Sequence, residues 1–249
     1  MRKLVLLAVI IVIGALVFLV IFTKNAGKEG VSDKPKMGEN ISFNTSDGVK
    51  IAATFYKAQT PNGVAVVLLH MRAKSRGDWM EFAAKLNNDG FDALAIDFRG
   101  HGESGGTRIE SFSGQDYQNL KLDVAAADEY LKSKDPNVKI VLTGGSIGAN
   151  TALNYAVQNP ETKAVALLSP GLDYKGVKTD ETSKQITVPV FLVTSSDDPQ
   201  SYSGLETWKA NIKNLEVITF TDAGHGTNMF GSHPELTDKI INWFEKTTL

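Results

Sequence analysis

Val64 to Leu69 reads Val-Ala-Val-Val-Leu-Leu, six apolar residues in a row with no polar partner face. A strand of that kind must be buried on both sides, which in practice means a mainly parallel sheet covered by helices. Runs of the same character recur at Phe91–Ile96, Val138–Leu142, Ala164–Leu168, Val188–Val193 and Leu215–Phe220. Between them, Trp79–Leu86, Tyr117–Leu131, Thr151–Val157 and Leu205–Ile212 carry apolar residues at helical spacing. Ile41–Thr45 and Val49–Tyr56 flank the turn signal Ser46-Asp47-Gly48 and predict an opening antiparallel hairpin. Ser232-His233-Pro234-Glu235 has the pattern of a capping box, so a last helix is expected to carry Leu236, Ile240, Ile241 and Phe244. The alternation predicts one α/β domain over residues 41–249, with a mainly parallel eight-stranded sheet flanked by helices.

Ahead of that domain, Leu4 to Phe22 is 19 residues without a charge, preceded by Arg2 and Lys3. This is long enough to span a bilayer and lacks a small-x-small cleavage site, so residues 1–23 are expected to be an uncleaved signal anchor. Cleavage and secretion is the alternative. Residues 24–40, with three glycines, a proline and few large apolar side chains, are expected to be a flexible tether. Arg2 and Lys3 favour a cytoplasmic N-terminus, against Lys24 and Lys28 on the other flank, so the globular domain is expected outside the cytoplasm. The formal net charge of −2 provides no basic stripe for nucleic acid. The chain has no cysteine, hence no disulfide and no thiolate metal site. Metal-ligand spacings and phosphate-cradling glycine loops are also missing from the sequence, so no cofactor is implied, and no obligate protein partner is evident.

In sheets of this class, sites form at the carboxyl ends of the strands. The residues just past the apolar runs are His70-Met71-Arg72, the segment Asp97 to Ser104, Ser146, Asp197-Asp198 and Gly224-His225-Gly226. Gly144-Gly145-Ser146-Ile147-Gly148 reads as strand, sharp turn and helix, with the serine at the apex. A serine hydroxyl is a weak nucleophile unless a base removes its proton; His225, between two glycines, is the candidate base. His70, His101 and His233 read as structural. A carboxylate should hold the second ring N–H, and Asp197 or Asp198 could do so, the other being a solvated turn residue. The backbone N–H of Ile147 is the natural first donor to a developing oxyanion.

On these residues the chain resembles the α/β-hydrolase fold superfamily. Gly144 to Gly148 looks like its nucleophile turn, Asp97-x-Arg99-Gly100-His101-Gly102-x-Ser104 like its loop after the fourth strand, and Gly224-His225-Gly226 like its histidine loop. The order serine, acid, histidine is also the family order. The resemblance favours Asp198 as the acid, because Asp198 precedes Pro199 as the family acid often precedes proline. Aligned with the family's His-Gly-x, His70-Met71-Arg72 makes the Arg72 amide the expected second oxyanion donor and Met71 the runner-up. Met71 stands where the family commonly has glycine. Asp97 and Arg99 are expected to be loop scaffolding, and the Arg72 side chain a solvated arginine rather than a binder of an acidic substrate group.

The stretch from Ser169 to Val188 is too short for an inserted helical cap, so an open, lidless site is expected. Trp79, Tyr174, Trp208 and Phe230 are candidates to line an acyl pocket, with core packing an equal reading of each. The resemblance implies a serine hydrolase that cleaves a carboxylic ester of a small acyl substrate through an acyl-enzyme. A thioesterase, peptidase or acyltransferase with the same residues is the alternative, and an inactive membrane-tethered binding module a further one.

Overall fold

The computed structural model describes residues 38–249, so the expected anchor at 1–23 and most of the expected tether lie outside the described residues. Among the described residues no helix is long and apolar enough to cross a membrane.

The two opening strands, β1 (Glu39–Asn44) and β2 (Lys50–Tyr56), form the antiparallel hairpin, with β1 beginning at Glu39 rather than 41. Then come β3 (Val64–Leu69), β4 (Asp92–Ile96), β5 (Lys139–Gly145), β6 (Ala164–Leu168), β9 (Val190–Ser195) and β10 (Leu215–Phe220); between β6 and β9 lies a small separate hairpin, β7 (Asp173–Tyr174) with β8 (Val177–Lys178). The large sheet has eight strands in the order β1-β2-β4-β3-β5-β6-β9-β10, and from β4 to β10 every pairing is parallel. Its central strands behave as their composition demands: Val64 to Leu69 are all at most 1% exposed. Each valine and leucine among them contributes about 1.5–3 kcal/mol by leaving water.

Helices cover both faces. On one lie α2 (Gly114–Lys134), α3 (Ile147–Gln158) and α5 (Leu205–Asn211), which bury Leu120, Val124, Leu153 and Trp208 against Leu94, Leu142 and Leu192. On the other lie α1 (Met80–Asn88) and α7 (Glu235–Thr248), which bring Phe82, Ile240 and Phe244 onto Val66, Leu68 and Phe191. Short helices α4 (Pro199–Tyr202) and α6 (Met229–Ser232) close the loops after β9 and β10.

Two local expectations fail. Ser232 ends α6 and so cannot also cap the next helix; α7 starts after Pro234 with no side-chain cap, and Thr237 Oγ1 bonds the Pro234 carbonyl at 2.8 Å. A capping box does form at α2, between Ser113 and Asp116. The second miss is the β7–β8 hairpin, whose strands of two residues are too short to show a period in sequence.

Candidate active site

β5 and α3 approach so closely that a Cβ on Gly144 would collide with the backbone of Gly148, and one on Gly148 with the Leu69 carbonyl. Glycine is therefore required at both, and the turn between them must be tight. Ser146 takes up the strain at φ +54° and ψ −121°, a conformation that non-glycine residues rarely adopt. Its own N–H is tied to the Leu168 carbonyl at 2.9 Å. Ile147 is the first residue of α3, and its N–H has no partner within the helix.

Past β9 and β10, Asp198 Oδ2 lies 2.7 Å from His225 Nδ1, with the aspartate side chain 10% and the histidine 34% exposed. The histidine loop is fastened from three sides. Ser195 Oγ accepts from Ala223 N–H at 3.0 Å, Ser169 Oγ accepts from Gly226 N–H at 2.9 Å, and Asp197 accepts from Gly224 N–H at 3.2 Å. Asp197 is thus more than a solvated turn residue: it also receives the Ser195 hydroxyl, which holds its carboxyl below the ordinary pKa. Ser169, buried and at φ +49°, was missed in the sequence although it directly follows the Ala164–Leu168 run.

The serine turn and the histidine loop abut. A Cβ built on Gly145 would lie 3.7 Å from the Gly226 Cα, and the Tyr174 ring centroid is 6.2 Å from that of His225. No hydrogen bond joins Ser146 to His225 among the described residues; the Tyr174 phenol, which lines the same cavity as Ser146, donates to the Ser169 carbonyl at 3.3 Å. Burial, and after it the Asp198 charge, push that phenol above its ordinary pKa, so Tyr174 stays protonated. The β7–β8 hairpin therefore carries no helical cap, as expected, yet delivers one aromatic side chain onto the serine. Of the other aromatic candidates, Trp79 and Trp208 are fully buried in the core and Phe230 stacks on Phe82 at 5.3 Å.

Met71 explains its own departure from glycine. Its side chain is 5% exposed and packs against Gly145 and Gly226, where a Cβ on Gly226 would collide with the sulfur. The positive φ of this loop falls two residues later, on Ala73 at +59°, so position 71 tolerates a side chain. His70 is buried and neutral: Nδ1–H donates to the Met71 carbonyl at 2.6 Å, Nε2 accepts from Phe98 N–H at 3.0 Å, and burial holds its pKa down to about 4. Because a trans peptide directs its C=O and N–H oppositely, the bond to the Met71 carbonyl also sets the direction of the Arg72 N–H.

The loop after β4 is a scaffold. Asp97 binds the Arg76 guanidinium and the N–H groups of Arg76 and Glu103, while Arg99 donates to Asp123 at 2.8 Å and to Asp47 at 2.7 Å. His101 donates to, or accepts from, nothing in the site; its Nδ1 meets the Arg99 carbonyl at 2.9 Å, and burial lowers its pKa. His233 stacks on Phe220 at 4.0 Å. Among the described residues no three His, Asp or Glu side chains converge to hold a metal ion.

A cavity of about 300 Å³ opens over the serine, lined by Arg72, Ser146, Ile147, Tyr174, Lys175 and Gln200. It is at the small end of ligand-binding pockets. The Arg72 side chain is exposed but not simply solvated, since Nε donates to Tyr117 Oη at 3.0 Å.

A sequence model of the family described as serine aminopeptidase, S33, matches residues 60–181, a segment that includes Ser146 and ends before Asp198 and His225. Among curated proteins, a monoacylglycerol lipase of Mycolicibacterium smegmatis is 31% identical over 138 residues, 53% of this chain and 46% of that protein. A bifunctional esterase/perhydrolase of Acinetobacter calcoaceticus is 31% identical over 149 residues, 59% and 50% of the two chains. The chain spans about half the length of the curated relatives it matches. Among solved structures, an esterase of Pyrococcus furiosus superposes with a TM-score of 0.70 at 21% identity, over 85% of this chain and 92% of that one. A carboxyl esterase of Bacillus coagulans gives 0.71 at 13% identity, over 86% and 100%. Likenesses at these identities establish the fold.

Proposed function

We propose that this chain, a member of the α/β-hydrolase superfamily, is a serine hydrolase that cleaves small carboxylic esters through an acyl-enzyme. The observation that carries the reading is the 2.7 Å Asp198–His225 contact, abutting a strained serine that faces a cavity. In this mechanism the Ser146 hydroxyl turns to His225 and attacks the acyl carbonyl while His225 Nε2 takes its proton. Asp198 holds Nδ1–H and stabilises the imidazolium that results. The tetrahedral oxyanion is received by the N–H of Ile147 and that of Arg72, the latter aimed by His70 through the Met71 carbonyl. His225 then protonates the leaving alcohol, and water repeats the sequence on the acyl-enzyme.

A peptidase reading has one observation in its favour, the description of the matching family. An aminopeptidase must hold a protonated amine, however, and the cavity lining offers Arg72 and Lys175 without a carboxylate. Ester hydrolysis fits the lining better.

The test is labelling with a fluorophosphonate probe, followed by turnover of a chain-length series of p-nitrophenyl esters beside thioesters and aminoacyl amides. Labelling of the intact chain that disappears in Ser146→Ala, with short esters turned over fastest, is the expected outcome. Labelling that persists in Ser146→Ala would end the reading. For the N-terminal segment the proposal is an uncleaved anchor with the domain outside the cytoplasm; a domain wholly protected from external protease in intact cells would overturn it.

A further inference from the structure

The cavity over Ser146 has an unusual charge balance for this protein. Two of its six lining residues, Arg72 and Lys175, are cationic and none is acidic, although the whole chain carries a net charge of −2. Asp198, the carboxylate of the site, is buried and hydrogen-bonded to His225. Elsewhere the buried or half-buried arginines are matched with carboxylates: Arg76 with Asp97 and Glu103, Arg99 with Asp47 and Asp123. Among the described residues neither Arg72 nor Lys175 is in an ion pair.

Arg72 is held through its side chain, and Lys175 through the backbone that carries it. Arg72 Nε is fixed by Tyr117 Oη, which leaves its two terminal nitrogens uncommitted. Lys175 sits at the tip of the β7–β8 hairpin at φ +56°, next to Gly176 at +86°. That tip is pinned by Gly176 N–H to Asp173 at 2.7 Å and by Gln118 Nε2 to the Gly176 carbonyl at 2.7 Å. A fixed guanidinium and a second cation of unused valence, lining the small cavity that also holds Ser146, have the chemistry to receive an anion.

We propose that Arg72 and Lys175 make this site selective for esters that carry a carboxylate close to the scissile bond, monoesters of short dicarboxylic acids being the simplest class. The inference rests on the serine hydrolase reading and names the substrate class for it. A neutral ester meets no partner for either cation, whereas the carboxylate of a monoester meets both.

The experiment compares matched pairs of anionic and neutral esters. p-Nitrophenyl hemisuccinate against p-nitrophenyl butyrate places the charge on the acyl side; 4-carboxyphenyl acetate against phenyl acetate places it on the alcohol side. Each kcat/KM is divided by the rate of spontaneous hydrolysis. At low ionic strength the anionic member of at least one pair should be preferred, and the preference should fall about fivefold in each of Arg72→Gln and Lys175→Gln. It should reverse in Lys175→Glu and shrink as salt rises, a readout on the unaltered chain that needs no variant. Equal or lower turnover of both anionic esters, or a preference untouched by salt and by both variants, overturns the inference.

Calorimetric binding of the hemisuccinate and butyrate esters to Ser146→Ala separates the two readings. Tighter binding of the hemisuccinate, without turnover in the unaltered chain, would leave the anion receptor standing and remove the hydrolase.

Discussion

Two regions at the carboxyl edge of the sheet draw on the same residue types and do opposite things. The loop after β4 contains Asp97, Arg99, His101 and Ser104; the loops after β5, β9 and β10 contain Ser146, Asp198 and His225. In the first, valence is consumed internally except at His101 Nε2, which is buried without a partner among the described residues and lines no part of the cavity over Ser146. Asp97 is saturated by Arg76 and by two N–H groups, Arg99 by Asp47 and Asp123, and Ser104 donates to the Asp97 carbonyl while accepting from Ala52 N–H at 2.8 Å. In the second, Ser146 and Ile147 line a cavity, and the bond from His225 to Asp198 occupies Nδ1 alone. What separates a site from a scaffold here is unspent hydrogen-bonding capacity facing space, not residue chemistry.

The sharpest way to break this comparison is to remove one hydroxyl from each region. Ser146→Ala should lower ester turnover by about 10⁴-fold or more while leaving the urea midpoint unchanged. Ser104→Ala should do the reverse, costing about 1–3 kcal/mol of stability by leaving the buried Ala52 N–H unpaired, with kcat within a few-fold. Loss of turnover in both, with stability intact in both, would erase the distinction.

The aspartates give the next largest contrast. Asp198→Asn should cost about 10⁴-fold in kcat, since the ring of His225 would lose the acceptor that fixes its tautomer. Asp97→Asn should instead destabilise by about 3 kcal/mol, because the Arg76 charge is left without its buried partner, and the folded fraction should keep its kcat. Asp197→Asn belongs between them: it loosens the Gly224 anchor and should cost less than about tenfold.

His70 links the two regions, because its ring joins the Met71 carbonyl to the Phe98 N–H. Its folded pKa of about 4 lies below the ordinary histidine value of 6.5, so on acidification the unfolded chain takes up the proton first. This contribution to stability is complete above pH 6.5 and is lost as pH falls toward 4, by about 3 kcal/mol in all. Urea unfolding at stepped pH should show this slope, and a His70→Gln variant that retains the same slope would contradict the assignment.

The smallest effect concerns packing between the serine turn and the histidine loop. Gly226→Ala should destabilise by about 1–2 kcal/mol through its φ of +57°, with an added penalty against the Met71 sulfur. Met71→Ala should recover the added part alone, and thermal unfolding of the double variant measures the coupling.

The central strands were legible because burial on both faces forbids polar residues: β3 and β6 begin and end where their apolar runs do. The positions after those runs then drew attention to Ser146, Asp198 and His225. Less legible were residues whose role depends on what lies across a gap. Asp197 and Ser169 fasten the histidine loop through bonds spanning 27 and 57 residues of chain, and no local pattern encodes that reach. Tyr174 had equal claims to core and pocket until the hairpin that carries it was placed.

What the sequence determined by itself was the layered α/β architecture and the set of strand ends at which chemistry could occur, because the periodicity of apolar residues is a local signal that burial makes strict. Which of those ends holds free valence was decided only by the tertiary structure. A serine, aspartate or histidine has the same side chain whether spent on a scaffold or left facing a cavity. The difference lies in partners brought together across the sheet, as Met71 is against Gly226 and Arg72 against Tyr117.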